Sequence, residues 1–195
     1  MLLNKFKLKN WYNFSPAKRQ TILQKLENKM ARRAGRPNMP ISIVTNEDWN
    51  CFGSFEFSNG KATLNLNILL IRDPELRFQA MATVLHEGRH YTQYYASNSE
   101  LSFFEFRAKR WKKNMEKYIS SSVDRELYDM QIVERDAQKF AIKKMKRWQR
   151  KFADEEDFWR IYNNLNYRFE QNEKEAIEKY GKFYRRKIRK RIGRM

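Results

Sequence analysis

The chain has 195 residues, enough for one domain with a sizeable core, and 41% of them are hydrophobic, which is typical of a folded chain. A single cysteine, Cys51, excludes an internal disulfide framework and a four-cysteine zinc module. The formal net charge of +18 is uneven: residues 1–39 carry ten basic and one acidic side chain, 40–106 carry four and eight, and 182–195 carry eight and none. Such basic flanks attract polyanions, nucleic acid before anionic membranes, although a merely solubilising surface would have the same composition.

The first fourteen residues, MLLNKFKLKNWYNF, are basic but contain no apolar run as long as that of a signal peptide. No stretch reaches the length of a transmembrane helix. We therefore expect neither a signal peptide nor a membrane span, and a cytoplasmic location by default.

Residues 15–35 carry the signals of one helix. Ser15 suits the N-cap, Pro16 the first helical position and Gly35 the end. An apolar stripe at helical spacing lies between them: Ile22, Leu23, Leu26 and Met30.

Strands are predicted next. ISIVTN, residues 41–46, is rich in β-branched side chains, and SNG separates two strand-like runs, which predicts a hairpin over 51–70. Its second run alternates apolar with polar residues, as a strand with one buried face does. Asp73 and Pro74 then suit the start of a helix that runs from about residue 74 to about 95.

The C-terminal half is predicted to be mainly helical. Residues 101–119 form one helix, SSSVD interrupts it, and 125–152 form one helix or two. The four acids at 154–157 suit the positive end of another helix dipole. The remainder, to residue 195, is helical and highly charged.

The predicted fold class is α+β, with a small antiparallel sheet packed on several helices and a basic helical C-terminal tail. Composition divides the chain into a basic N-terminal helix (1–39), a core (40–150) and a charged helical extension (151–195).

The stretch TVLHEGRHYTQYY, residues 83–95, contains both histidines of the chain. On a helix, His86 and His90 lie on one face and can present two imidazole nitrogens to one metal ion. Glu87 is offset by about 100° and can reach a water molecule on the metal without ligating the ion. This division suits zinc hydrolysis, in which the ion acidifies a water and a carboxylate takes its proton. The alternative is two histidines that merely share a helix face.

A catalytic zinc site needs a third protein ligand and an open position. With no third histidine and Cys51 upstream, the third ligand should be a downstream carboxylate. The candidates are Glu100, Glu105, Glu126, Asp129, Glu134 and Asp136.

Glu134 is the favoured candidate. It stands on a helical face marked as buried by Ala137, Phe140 and Ala141, and the small Ala137 allows another helix to approach closely. A buried carboxylate needs a partner, which a zinc ion would provide. An exposed ion pair with a lysine or arginine is the alternative for Glu134.

HEGRHYTQ followed by YDMQIVERDAQKFA resembles the gluzincin branch of zinc metallopeptidases, in particular the minimal ImmA/IrrE-like peptidases of phages and mobile elements. The resemblance covers about residues 40–147 and implies a zincin-like fold. It implies that His86, His90 and Glu134 bind Zn²⁺ and that Glu87 is the general base. It also implies that KATLNLNIL is the strand whose edge pairs with an extended peptide substrate.

Other roles follow from the same resemblance. An oxyanion stabiliser is expected, and Tyr128 is the choice, with a packing aromatic as its alternative. Gln93 and Asp136 are candidates to orient an imidazole ring, with an exposed salt bridge as the alternative for Asp136.

Two further classes of function compete with the peptidase. The chain could be a nucleic-acid-binding protein with a structural or vestigial metal site, because tryptophans and tyrosines lie among its arginines. It could also be an interaction protein of a virion or mobile element that docks through its tail. A protein or peptide substrate and a nucleic acid bound by the basic flanks are therefore the expected partners.

Overall fold

The computed structural model describes residues 2–46, 49–99 and 105–192 and confirms the α+β class. Its strands are β1 (Ile41–Val44), β2 (Gly53–Ser58) and β3 (Lys61–Asn67). Its α-helices are α1 (Leu8–Trp11), α2 (Pro16–Ala34), α3 (Leu69–Arg72), α4 (Arg77–Asn98), α5 (Glu105–Met115), α6 (Arg125–Met130), α7 (Ile132–Trp148), α8 (Glu156–Tyr180) and α9 (Tyr184–Ile192).

The residues that the sequence predicts at the ends of the helices cap them in the structure. The hydroxyl of Ser15 accepts a hydrogen bond from the Lys18 amide, and Gly35 ends α2 in the left-handed conformation with φ 66°. Asp73 accepts from the Glu75 amide and opens a 3-10 turn that leads directly into α4. Local side-chain to backbone bonds therefore set the limits of the helices around the motif.

In the C-terminal half, one helix is shorter than predicted, and the segment predicted to form one helix or two forms two helices. The helix expected over 101–119 ends at Met115, because the backbone of Ile119 pairs with the side chain of Gln131 instead of continuing the helix. Residues 101–104 lie outside the described part of the chain. The segment 125–152 forms two helices that meet at Gln131, whose extended backbone interrupts the run.

The sheet is mixed, so the prediction of an antiparallel sheet is wrong. The hairpin pairs β2 antiparallel to β3, as expected, but β1 pairs parallel to β3 and the strand order is β1-β3-β2. Periodicity indicates that strands exist but not which edge each one joins. β1 takes the edge of β3 that the hairpin leaves free, where the Leu64 amide donates to the Pro40 carbonyl.

The prediction that KATLNLNIL offers a free edge to a substrate is also wrong. β3 is the central strand and is hydrogen-bonded on both sides. The outer edge of β1 is covered by glutamines of α2: Gln20 donates to the Ile41 carbonyl, and Gln24 accepts from the Ile41 amide. The outer edge of β2 is therefore the edge of the sheet to consider for strand addition.

One core cluster draws residues from all three segments that composition distinguishes. Leu26 of α2, Leu85 of α4 and Phe158 of α8 are each at most 1% exposed in this cluster. The C-terminal helix α9 packs through Tyr184 and Ile188 into a second cluster with α6. Among the described helices, none is both long and apolar enough to cross a membrane.

A buried ion pair holds the end of α2 against α4. Arg36 and Glu27 are 6% and 0% exposed, and the Arg36 Nη1 lies 2.7 Å from the Glu27 Oε1. The same guanidinium donates to the Gly88 carbonyl and to the Thr92 hydroxyl. A Cβ on Gly88 would lie 3.2 Å from the Arg36 Nη2, so glycine inside the HEGRH motif leaves room for this bridge.

β2 approaches α4 closely at Gly53. A Cβ at this position would lie 2.5 Å from the Thr83 Cγ2 and 3.0 Å from the Asn65 carbonyl oxygen. Thr83 cannot easily rotate away, because its hydroxyl donates to the Gln79 carbonyl and its side chain is buried. Glycine therefore sets the distance between the edge strand and the helix that carries the histidines.

We expect Gly53→Ala to destabilise the fold by about 1–3 kcal/mol, because the added methyl group overpacks a tight contact. The free energy of unfolding from urea titration measures this. Thr83→Ser removes the opposing methyl group and should recover much of the loss in the double variant. If the changes in unfolding free energy of the two single variants simply add in the double variant, the contact between the side chains at positions 53 and 83 does not limit the approach of β2 to α4.

Candidate metal centre

α4 places both histidines of the chain side by side. One helical turn separates His86 from His90, and their Nε2 atoms lie 3.0 Å apart. The side chains are 19% and 14% exposed, so both rings are largely sheltered, and His86 lines a cleft. The helix thus presents two nitrogens at one point, as the spacing predicts.

The first turn of α7 brings Glu134 to the same point. One carboxylate oxygen lies 3.3 Å from the His86 Nε2 and the other lies 3.4 Å from the His90 Nε2. Glu134 is only 4% exposed, and Ala137, one turn later, is completely buried where α7 packs along α4. The small alanine permits the close helix approach that the sequence predicts.

These separations fit one small cation. Ligand atoms about 2.0–2.1 Å from a tetrahedral zinc ion lie roughly 3.3 Å from one another. The two Nε2 atoms lie 3.0 Å apart, each lies 3.3–3.4 Å from a different oxygen of Glu134, and one atom from each of the three residues falls within 4.8 Å of the others. Two imidazoles and a carboxylate are also a donor set that zinc accepts.

The other candidate ligands are placed elsewhere or lie outside the described residues. Glu126 bonds to Lys179 and Tyr180, Asp129 to Arg125, and Asp136 to Arg89 and Gln93. Cys51 is exposed. Glu100, like the side chain of Glu105, is outside the part that the structure describes. Within the described part of the chain, His86, His90 and Glu134 form the one group of histidine, cysteine and acidic side chains with metal-binding geometry.

Gln93 controls the orientation of the His90 ring. Its Oε1 lies 3.0 Å from the His90 Nδ1, so an Nδ1–H donates there, and Nε2 is the nitrogen that can bind a cation once it has lost its proton. The amide group is fixed in turn, because its Nε2 donates to the Val133 carbonyl and to the Asp136 carboxylate. Asp136 also pairs with Arg89 at 2.7 Å, so it belongs both to this chain of bonds and to a salt bridge.

We expect Gln93→Leu to weaken zinc binding about 10–100-fold, because the His90 ring loses the acceptor that selects its tautomer. Competition with a chromogenic chelator measures the dissociation constant. Gln138→Leu on α7 is the matched control and should leave zinc affinity unchanged. Unchanged affinity in Gln93→Leu would mean that His90 needs no orienting partner.

The charges of the group are strongly coupled. Burial alone would lower the pKa of His90, but the neighbouring Glu134 carboxylate outweighs burial and raises that pKa to about 9. Burial would likewise raise the pKa of Glu134, but the two imidazoles hold it well below its usual range. The carboxylate is therefore ionised at neutral pH and available to a cation.

Two tyrosines lie beside the carboxylate. The Tyr118 hydroxyl donates to the Glu134 Oε1 at 2.7 Å, and the Tyr128 ring meets the Tyr118 ring edge to face at 6.1 Å. Burial and the negative charge of Glu134 raise the pKa of both phenols, so both remain protonated hydrogen-bond donors. Tyr128 lines the same cleft as His86 and Glu87.

Glu87 points at the outer edge of β2. Its Oε2 accepts a hydrogen bond of 2.8 Å from the Phe55 amide. The Asn67 amide donates to the Phe52 carbonyl, so Phe52 faces β3 with its backbone groups. Residues of an antiparallel strand face the partner strand alternately, and the amides and carbonyls of Gly53, Phe55 and Phe57 therefore face away from β3. Glu87 thus connects the helix of the histidines to the open edge of the sheet.

A cleft of about 360 Å³ joins these parts. Its walls come from β2, α4, α6, α7 and α8, and they include His86, Glu87, Tyr128 and Glu134. A ligand in this cleft would contact the His86 ring, the carboxylates of Glu87 and Glu134 and the Tyr128 phenol at once. This is the arrangement in which a metal, a base and a hydrogen-bond donor can act on one bond.

Sequence reasoning missed two participants. Tyr118 was assigned to a helix, and no local pattern marks it as a partner of Glu134. The Phe55 amide carries no side-chain signal, since its role depends on which strand lies at the edge. Both depend on tertiary packing rather than on motif spacing.

Comparison of the chain with protein-family models, with curated proteins and with solved structures gives no match.

Proposed function

We propose that the protein is a zinc-dependent metallopeptidase of the gluzincin type. The observation that carries this proposal is the convergence of the His86, His90 and Glu134 ligand atoms within 4.8 Å, next to the carboxylate of Glu87. When bound, zinc would supply a Lewis acid that polarises the scissile carbonyl and acidifies a water molecule. The residues of the chain divide the remaining work among them.

Glu87 is the proposed general base and then acid. It does not belong to the ligand group, but it follows His86 directly and lines the same cleft. It would take the proton of the attacking water and return it to the leaving amine. The Phe55 amide steadies this carboxylate at 2.8 Å and so directs it towards the sheet edge.

The outer edge of β2 is the proposed binding surface for the substrate backbone. The backbone groups of Gly53, Phe55 and Phe57 face away from β3, and all of them except the Phe55 amide, which donates to Glu87, could pair with an extended peptide as an added strand. Such a peptide would run past Glu87. The Tyr128 hydroxyl would donate to the oxygen of the carbonyl under attack.

The alternative is a protein in which the same three residues hold a structural cation or bond to each other. Without a metal, the Glu134 carboxylate raises the pKa of His90, and the protonated ring would hold the group together through a charged hydrogen bond to Glu134. The cleft favours the peptidase, since a structural metal site is closed by four protein ligands whereas this one opens to solvent beside Glu87.

The direct experiment measures metal content and hydrolysis together. Protein purified without added metal should contain close to one zinc ion per chain, as measured by elemental analysis. Incubation with a peptide mixture should yield new termini by mass spectrometry, and dialysis against a chelator should abolish them until zinc is restored. Zinc-loaded protein that cleaves no member of a broad peptide library would contradict the proposal.

A further inference from the structure

A second cavity, of about 840 Å³, lies behind the metal cleft. Its walls come from α5, α7, α8 and α9, and the residues Met130, Arg135 and Phe169 line both this cavity and the cleft. No role for it follows from the proposed peptidase. We call it the basic cavity because lysines and arginines dominate its lining.

Eight cationic side chains line the basic cavity, seven from α5, α7 and α9 and one from the segment after α5, against one lining acid, Asp136, which is paired with Arg89. The eight are Arg110, Lys113, Lys117, Arg135, Lys139, Arg185, Arg186 and Lys190. Glu173 of α8 forms salt bridges with Arg135 and Arg185, but cations still outnumber acids in this concave surface, and an anion would relieve their repulsion. The cavity therefore suits a ligand with several negative charges.

The C-terminal helix is a wall of this cavity. Tyr184, Ile188 and Ile192 of α9 are buried against α6 and α8, which leaves Arg186 and Lys190 exposed on the cavity side. A salt bridge between Arg191 and Asp124 also attaches α9 to the start of α6. The tail is thus positioned by the fold, and its charges act together with those of α5 and α7.

The floor of the cavity is apolar. Met130, Ile132, Phe169 and Ile188 are buried or half-buried, whereas all the lining lysines and arginines except Arg135 are exposed, so the apolar side chains lie beneath a cationic rim. Phe106 of α5 does not line the cavity itself, but its ring centre lies 5.7 Å from the guanidinium carbon of the lining residue Arg110, and this ring is 75% exposed. A cationic track beside apolar and aromatic surface is what a single-stranded nucleic acid requires, because phosphates meet the cations while bases stack.

We propose that the basic cavity binds single-stranded nucleic acid. Duplex nucleic acid would use the rim cations but not the recessed apolar floor, because its bases are already stacked. A bound strand would lie next to Arg135 and Phe169, and therefore beside the metal cleft. The proposal does not depend on the peptidase, since it rests on different residues.

The test measures binding of a fluorescent 20-nucleotide oligothymidylate, its uridylate counterpart and a 20-base-pair duplex by anisotropy at ~0.1 M salt. The probe variant is Lys113→Glu/Lys139→Glu. Both residues are exposed, and among the described residues no ion pair holds their ammonium groups. The control is Lys18→Glu/Lys25→Glu on α2, which removes the same charge from exposed positions away from the cavity.

We expect the cavity variant to weaken binding of the single strands about tenfold or more and the control by less than about threefold. Loss of two phosphate contacts should also reduce the slope of log K against log salt by about 1.4. Phe106→Ala should weaken single-strand binding about fivefold or more and leave duplex binding unchanged. Both single strands should respond alike, because stacking does not depend on the sugar.

Three results would overturn the proposal. Equal weakening by the cavity and control variants would show that only net charge matters. Duplex affinity as high as single-strand affinity would remove the role of the apolar floor. Binding to phosphatidylserine vesicles that the cavity variant loses, while oligonucleotide binding stays unchanged, would assign the cavity to a membrane surface. Zinc content should be equal in all variants, which separates this test from that of the peptidase.

Discussion

Replacement of Glu87 by glutamine should lower kcat/KM for peptide hydrolysis by about 10²–10⁴-fold while zinc content stays at one ion per chain. A general base contributes acceleration of this size, and a neutral amide cannot accept the proton of the attacking water. Glutamine keeps the shape of glutamate, and its carbonyl oxygen can still accept the bond from the Phe55 amide. The fold and the sheet edge should therefore be unchanged.

Glu75→Gln is the matched control for this experiment. It makes the same chemical change at an exposed position in the turn before α4, outside the metal cleft. It should leave both hydrolysis and zinc content unaltered. Full activity in Glu87→Gln would assign the proton transfer to another group and remove the proposed role of this residue.

The parts of the site that lie within one helix could be predicted from the sequence. The four-residue spacing of His86 and His90 places both rings on one face wherever a helix forms, and Asp73 with Pro74 marks where this helix begins. Glu134 was favoured because its neighbours indicate a buried face, and the structure does place it against both rings. These inferences need only periodicity and capping.

The parts that depend on neighbours in space could not be predicted. Tyr118 reaches Glu134 because the chain after α5 turns back, and Gln131 holds that turn by bonding to both the amide and the carbonyl of Ile119. Gln131 is itself completely buried, which a polar residue between two helix patterns does not indicate. A single side chain placed by tertiary packing thus positions the group beside the carboxylate.

The sheet shows the same limit on a larger scale. Alternation in residues 61–67 identifies β3 correctly, but the strand next to the metal cleft is β2. The choice depends on Gly53, since only a residue without a Cβ lets the strand lie so close to Thr83. A glycine inside a predicted strand is the one local signal of such a close approach.

The two cavities also change how the basic flanks are understood. Composition distinguishes a basic N-terminal helix and a charged helical extension from the core, and in the structure α2 packs into the main core and α9 lines a cavity together with α5 and α7. Arg135 of that cavity directly follows Glu134 in the first turn of α7. An anion bound on one side of this turn and a cation on the other would both stabilise its position.

Replacement of Glu134 by alanine should have the largest effect on metal binding, because it removes an ionised ligand and leaves the two imidazoles alone. Loss of a hydrogen-bond partner outside the ligands weakens metal binding about 10–100-fold, and we expect loss of the ligand itself to weaken zinc binding by more than that. Asp129→Ala is the matched control. Asp129 is another acid on the cleft wall, but it pairs with Arg125, so its loss should leave zinc affinity unchanged.

Thermal unfolding turns this difference in affinity into a measurable shift. Zinc at about 1,000 times its dissociation constant stabilises the folded chain by about 4 kcal/mol, which for a protein of this size raises Tm by about 8–16 °C. A variant that binds a hundredfold more weakly gains only about 1.4 kcal/mol at the same zinc concentration, or about 3–6 °C. An equal rise in Tm for Glu134→Ala and the wild type would show that the acid on α7 does not hold the ion. The metal would then have to be bound by the histidines and a residue from another part of the chain.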